Sequence, residues 1–136
     1  MDARLTILKG TLDVLVLRAL TWRAMHGFEV ATWLEQGSDA SLALDDSALY
    51  QALYRLEQRG LIAATWGVTP NNRRARYYAL TEAGRAQLVQ ETETWLRYAA
   101  LVTQILTGPV EQWAEAGGLD RPTSSSPKGG SPLPAT

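Results

Sequence analysis

Between Thr69 and Arg85 the chain reads TPNNRRARYYALTEAGR, and three of the four residues from 73 to 76 are arginine. No Asp or Glu stands between Glu57 and Glu82. Guanidinium groups without nearby carboxylates suit the neutralisation of phosphates, whose condensed counterions they displace. A second set of polar side chains, Ser47, Tyr50, Gln51, Tyr54, Arg55 and Gln58, precedes this run. At about 100° per residue they share one side of a helix, and Leu49, Ala52, Leu53 and Leu56 share the other. A face of hydrogen-bonding groups, two tyrosines and one arginine, with Glu57 off to the flank, differs from an ordinary solvated face of acids and lysines. Base edges and phosphates in a DNA major groove need such donors, acceptors and flat contacts.

Other chemistries find little support. The 136 residues include no cysteine and one histidine, His26, which leaves no disulfide framework and no His- or Cys-based metal cluster within a chain. No nucleophile elbow, phosphate loop or metal-ligand spacing occurs, so neither catalysis, a cofactor nor a metal is expected. A net charge of -1 and a pI near 5.8 argue against polyanion binding by the whole surface, which leaves charge placement to decide. The opening MDARLTILKG is too polar for a signal peptide, and the longest apolar run, Val14 to Leu17, is far short of a membrane span. A cytoplasmic protein without membrane contact is expected.

The elements that must position these residues follow from periodicity. Leu5, Leu8, Leu12, Leu15, Val16 and Ala19 recur at helical spacing, with Gly10-Thr11 as a start and Thr11 as N-cap. A second helix, about His26 to Gln36, is expected to bury Phe28, Ala31 and Leu34, with His26 as a cap or packing residue. SLAL is a candidate short strand. Asp45, Asp46 and Ser47 offer N-caps to the third helix, which ends at Gly60. LIAATWGV and RARYYAL read as strands around the turn-forming TPNNRR. The fold expected is mainly α with a small β-hairpin: a winged helix-turn-helix over residues 3–80. Its wing carries Asn72, Arg73, Arg74 and Arg76 to the sugar-phosphate backbone, and Ser47 to Gln58 face the groove.

Thr81 then opens a long helix, residues 81–107, whose apolar positions Leu88, Trp95, Ala99, Val102 and Leu106 step by sevens, fours and threes. At about 26 residues, roughly 39 Å, it outruns what an 80-residue domain can cover. A second copy of the chain is the expected partner for its stripe. The remaining residues, 108–136, hold five of the six prolines. They read as a disordered tail, most firmly from Pro122 to Thr136.

The blocks LKGTLDVLVLRAL, MHGFEVATWLEQ, ALYQALYRLEQRGLI and WGVTPNNRRARYYALTEAGRAQL, with the Trp-containing helix after them, resemble the PadR family of transcriptional regulators over residues 5–106. The likeness is greatest to members with one C-terminal helix. The resemblance implies a homodimeric repressor in a bacterial cytoplasm that binds a pseudo-palindromic DNA operator and acts on nearby transporter or stress genes. It also raises a small aromatic effector near the dimer interface, with Trp95 as the residue to meet it. Two positions depart from the family pattern: Gln51 stands where many relatives have proline, and Asp46 where they have a small residue. Gln51 adds a side chain able to read adenine, so an operator sequence does not carry over. A winged-helix interaction module that does not bind DNA is the alternative, against which the basic hairpin speaks.

Overall fold

The computed structural model describes residues 4–8 and 10–111. The order is β1 (Leu5–Thr6), α1 (Thr11–Ala19), β2 (Met25–His26), α2 (Gly27–Gly37), β3 (Leu42–Ala43), α3 (Asp46–Gln58), β4 (Ile62–Val68), β5 (Arg74–Leu80) and α4 (Glu82–Thr107). Three helices followed by a hairpin and a long helix form a winged helix-turn-helix with a C-terminal helix. Two compact units divide the chain, Met1–Leu96 and Arg97–Thr136. The second, as far as it is described, consists of the last residues of α4 and the four that follow.

The core of the first unit is a set of side chains at helical spacing on three short helices. Leu12, Val16 and Leu17 come from α1, Val30 and Leu34 from α2, and Leu49, Ala52, Leu53 and Leu56 from α3. Met25, Ile62, Tyr78 and Leu88 close it from the sheet and from α4. All four apolar positions expected of α3 are therefore buried, which fixes the rotation of the helix and turns its polar side outward.

Some expectations are corrected. Leu5 lies in β1, which pairs in parallel with β3 through Leu5↔Leu42 and Thr6↔Ala43. The helix cannot reach back to it because Gly10 turns the chain at φ 90°, the left-handed region that glycine enters freely. Gly10, not Thr11, is the N-cap, and no side chain caps that end. Phe28, expected to be buried, is 72% exposed. The face of α2 turned inward is Gly27, Val30 and Leu34; Phe28 sits two residues before Val30 and so points some 200° away from it.

The sheet has three strands in the order β2-β5-β4. β4 and β5 pair as the expected hairpin, with Ile62↔Leu80 at one end and Val68↔Arg74 at the other. Met25↔Tyr78 and His26↔Tyr77 add β2 at the edge. This ties the start of α2 to the base of the wing. His26 then caps α2 reciprocally: its Nδ1 accepts from the Glu29 N–H at 3.3 Å, and its own N–H donates to Glu29 Oε1 at 3.1 Å.

Thr81 opens α4 as expected. Its hydroxyl accepts from the Gly84 N–H at 3.0 Å and donates to the Gly60 carbonyl at 2.8 Å. The helix runs for 26 residues, the length expected. Residues 112–136, the greater part of the 108–136 tail expected to be disordered, lie outside the described residues. No described helix is long and apolar enough to cross a membrane.

Candidate nucleic-acid interface

α3 is set by its N-cap. Asp45 Oδ2 accepts from the Ala48 N–H at 2.9 Å, and Asp46 stands in the first turn at the positive end of the helix dipole. With the apolar side buried, Ser47, Tyr50, Gln51, Tyr54, Arg55 and Gln58 are all exposed. The first five line one open depression of about 500 Å³. A 13-residue helix, roughly 20 Å long, with one side wholly polar and aromatic has the dimensions to lie in a major groove.

Arg55 is not loose on this face. Its Nη2 donates to Asp13 Oδ1 at 2.6 Å and its Nε to Asp13 Oδ2 at 3.4 Å, which joins α3 to the first turn of α1.

The wing turns through Thr69–Arg73. Thr69 N donates to the Arg73 carbonyl and Asn72 N to the Thr69 carbonyl, both at 2.8 Å, and Asn72 takes φ 64°. Asparagine enters that region more readily than most residues. Arg73 is exposed in the loop, with no carboxylate partner among the described residues. Arg74 lays its guanidinium over the Trp66 ring, 4.6 Å from the centroid, a cation–π contact that leaves its charge uncancelled. Arg76 differs: its Nη2 donates to Glu57 Oε2 at 2.8 Å. The run is free of acids in sequence, yet in space α3 supplies one. Beneath Arg76, burial pushes the Tyr78 phenol up, against the opposing pull of the Arg76 charge.

The two surfaces meet at Tyr50. A groove of about 710 Å³ runs from the start of α2 to the wing, and its lining includes Phe28, Tyr50, Trp66, Arg73, Arg74 and Arg76. Tyr50 thus belongs both to the α3 depression and to the wing groove, whereas Gln58 and Asn72 line neither. Sequence reasoning assigns Phe28 to the core and passes over Trp66. Trp66, 61% exposed on a strand that begins with buried Ile62, carries the signal of a large aromatic beyond the last core position.

The α4 positions divide. Leu88 packs in the core of its own domain, 8% exposed. Ala99 and Val102 are half-buried, Trp95 is 39% exposed and Leu106 76%.

This geometry, a polar helix face continuous with a basic wing, defines a winged-helix DNA-binding protein. The sequence matches the transcriptional regulator PadR-like family over residues 16–90, more than half of its length, and the chain belongs to that family. An uncharacterised protein of Lysinibacillus sphaericus is 25% identical over 105 residues, covering 77% of this chain and 96% of that one. Among solved structures, a transcriptional regulator from Clostridium thermocellum superposes with a TM-score of 0.65 at 25% identity, over 71% of this chain and 90% of that chain. A PadR family regulator from Eggerthella lenta gives 0.64 at 27% identity, over 74% and 86%. One from Clostridium difficile gives 0.61 at 27% identity, over 71% and 99%.

Proposed function

We propose that this PadR-family regulator binds a pseudo-palindromic operator as a homodimer and represses transcription from it in the cytoplasm. In each half-site α3 enters the major groove with Ser47, Tyr50, Gln51, Tyr54, Arg55 and Gln58 toward the bases. The wing meets the flanking phosphates through Asn72, Arg73, Arg74 and Arg76. The observation that carries this reading is the groove shared by Tyr50 of the helix and Arg73 and Arg74 of the wing. Neither of these two arginines has a carboxylate partner among the described residues, so both are available to phosphate.

Dimerisation is supported by α4, on which Leu101, Ile105 and Leu106 are more than half exposed in the single chain. Trp95, Ala99, Val102 and Leu106 are the positions proposed to meet their copies. Repression follows from occupancy, since a dimer spanning two half-sites excludes other proteins from the same stretch of duplex. Which genes lie beside the operator decides what is controlled; a transporter or stress operon is the expectation the family likeness brings.

Replacing Arg73 and Arg74 together by alanine tests the wing. Phosphate neutralisation contributes to all sequences alike, so affinity for an operator and for random duplex should fall together. The slope of log K against log salt should flatten by about 0.9 for each phosphate no longer neutralised. An unchanged slope would remove both arginines from the DNA backbone. Folding should be unaffected, because exposed charges contribute little to stability.

A further inference from the structure

Asp13 offers its carboxylate to Arg55 across 42 residues of sequence and from a different helix. The acid is mostly covered, 17% exposed at its side chain, while the arginine it holds is 51% exposed on the polar side of α3. A surface ion pair between long side chains is usually a loose association of little consequence. This one is built differently: Asp13 stands in the first turn of α1, where the helix dipole favours a negative charge. Both carboxylate oxygens accept from the guanidinium rather than one.

The donors Asp13 takes decide what remains. A guanidinium has five N–H groups, and Asp13 occupies Nε and one hydrogen of Nη2. The side edge is thereby closed, and the end edge, formed by Nη1 and the second hydrogen of Nη2, stays open. That end edge presents two parallel donors, the complement of guanine O6 and N7 in the major groove. Arg55 lines the same depression as Gln51 and Tyr54. Unheld, it could swing among nearby phosphates and carry only sequence-independent affinity.

We propose that Asp13 is a positioning residue that commits Arg55 to reading a guanine end-on, and so sets specificity at one operator base pair without touching DNA. The inference rests on the DNA-binding reading above. It separates two roles of arginine on one surface: Arg55, buttressed, reads a base, while Arg73 and Arg74, without an acid partner among the described residues, neutralise phosphate.

The test uses the full chain, operators selected from randomised duplexes, and random-sequence duplex as the comparison. Asp13→Asn keeps the side chain's shape and one acceptor oxygen but removes the charge. Asp13→Asn and Arg55→Ala should lose preference for the same guanine at the same operator position, by about 5- to 150-fold. The double variant should lose no more than either single one. Affinity of Asp13→Asn for random duplex should hold or rise, because a negative charge near the DNA is gone. Thermal melting of each variant reports any loss of folding, and a merely structural staple would lower affinity for both DNAs by one common factor. That common factor, or a guanine preference retained at every position in Asp13→Asn, would overturn the inference while leaving DNA binding standing. Failure of the unmodified protein to bind any duplex would overturn both.

Discussion

The Tyr50 ring lies across Gly27 at the start of α2, so close that a β-carbon at position 27 would stand 2.5 Å from the phenolic oxygen. A residue of the helix face is thus seated by the absence of a side chain on another helix. Tyr50 is 52% exposed, so its ring has solvent to swing into. Gly27→Ala should displace the ring rather than break the fold. Melting temperature should change little, whereas affinity for a selected operator should fall by about 1 kcal/mol, roughly fivefold, if the Tyr50 hydroxyl makes one hydrogen bond there. Anisotropy titration beside a thermal melt separates the two. A large loss of stability with unchanged operator preference would make Gly27 a folding position only.

Gly84 meets something that cannot swing. A β-carbon there would collide with the Leu61 backbone carbonyl, at the junction where Thr81 ties α4 to Gly60. Alanine favours a helix over glycine by about 1 kcal/mol, so the clash and the propensity oppose each other. The clash should prevail, because the carbonyl belongs to the chain segment entering β4. Gly84→Ala is expected to destabilise by about 1–3 kcal/mol, read as a lowered denaturation midpoint. Gly37→Ala is the control. Nothing lies within 4 Å of a β-carbon at the end of α2, and that variant should be neutral or slightly stabilising. Equal behaviour of the two would refute the packing account.

What is legible in the sequence, and what is not, follows from the range of the forces involved. The buried side of α3 declares itself because Leu49, Ala52, Leu53 and Leu56 repeat at a period only a helix satisfies. The wing declares itself through turn formers between two strand-like runs. β2 does not, because two residues, Met25 and His26, are too few to show alternation. Periodicity misplaces Phe28 because Phe28, Ala31, Leu34 and Val30, Leu34 are both helical spacings in the same segment. Only packing against α1 and α3 selects the second. The pairs Arg55–Asp13 and Arg76–Glu57 are invisible for another reason: an ion pair joining two elements has no periodicity to read.

Glu29 provides a pH-dependent test of how α2 is held. Burial pushes its carboxyl up, but hydrogen bonds from Arg23 and from the His26 N–H, with the charges beside them, outweigh this and hold it below its ordinary value. A depressed carboxylate stabilises the fold above the unfolded-state pKa, and that contribution is lost as pH falls through the lower folded-state value. Glu29→Gln keeps an acceptor for the capping box and removes the charge. It should melt lower than the parent at pH 7, by about 0.3–1 kcal/mol for a charge in the first turn. The two proteins should converge once pH falls below the ordinary carboxylate range. A gap that persists undiminished into acid would show that the charge is not what matters.

Trp95 stands on the stretch of α4 that carries the largest apolar side chains into water: Leu96 is 61% exposed, Tyr98 59% and Ile105 74%. Leu88, at the start of the same stripe, is already consumed by the domain core, so the proposed subunit contact must begin beyond it. Trp95 is the next stripe position and the largest side chain on it. Burying it against a second copy would contribute roughly 1.5–3 kcal/mol or more, once from each subunit. Trp95→Ala should therefore shift sedimentation toward monomer at micromolar protein. Operator affinity should drop with it, because two half-sites can no longer be held together, while affinity for an isolated half-site stays as it was. That last measurement discriminates. If Trp95 instead serves its own chain, the variant would melt lower yet sediment as a dimer, and half-site and full-site affinities would keep their ratio.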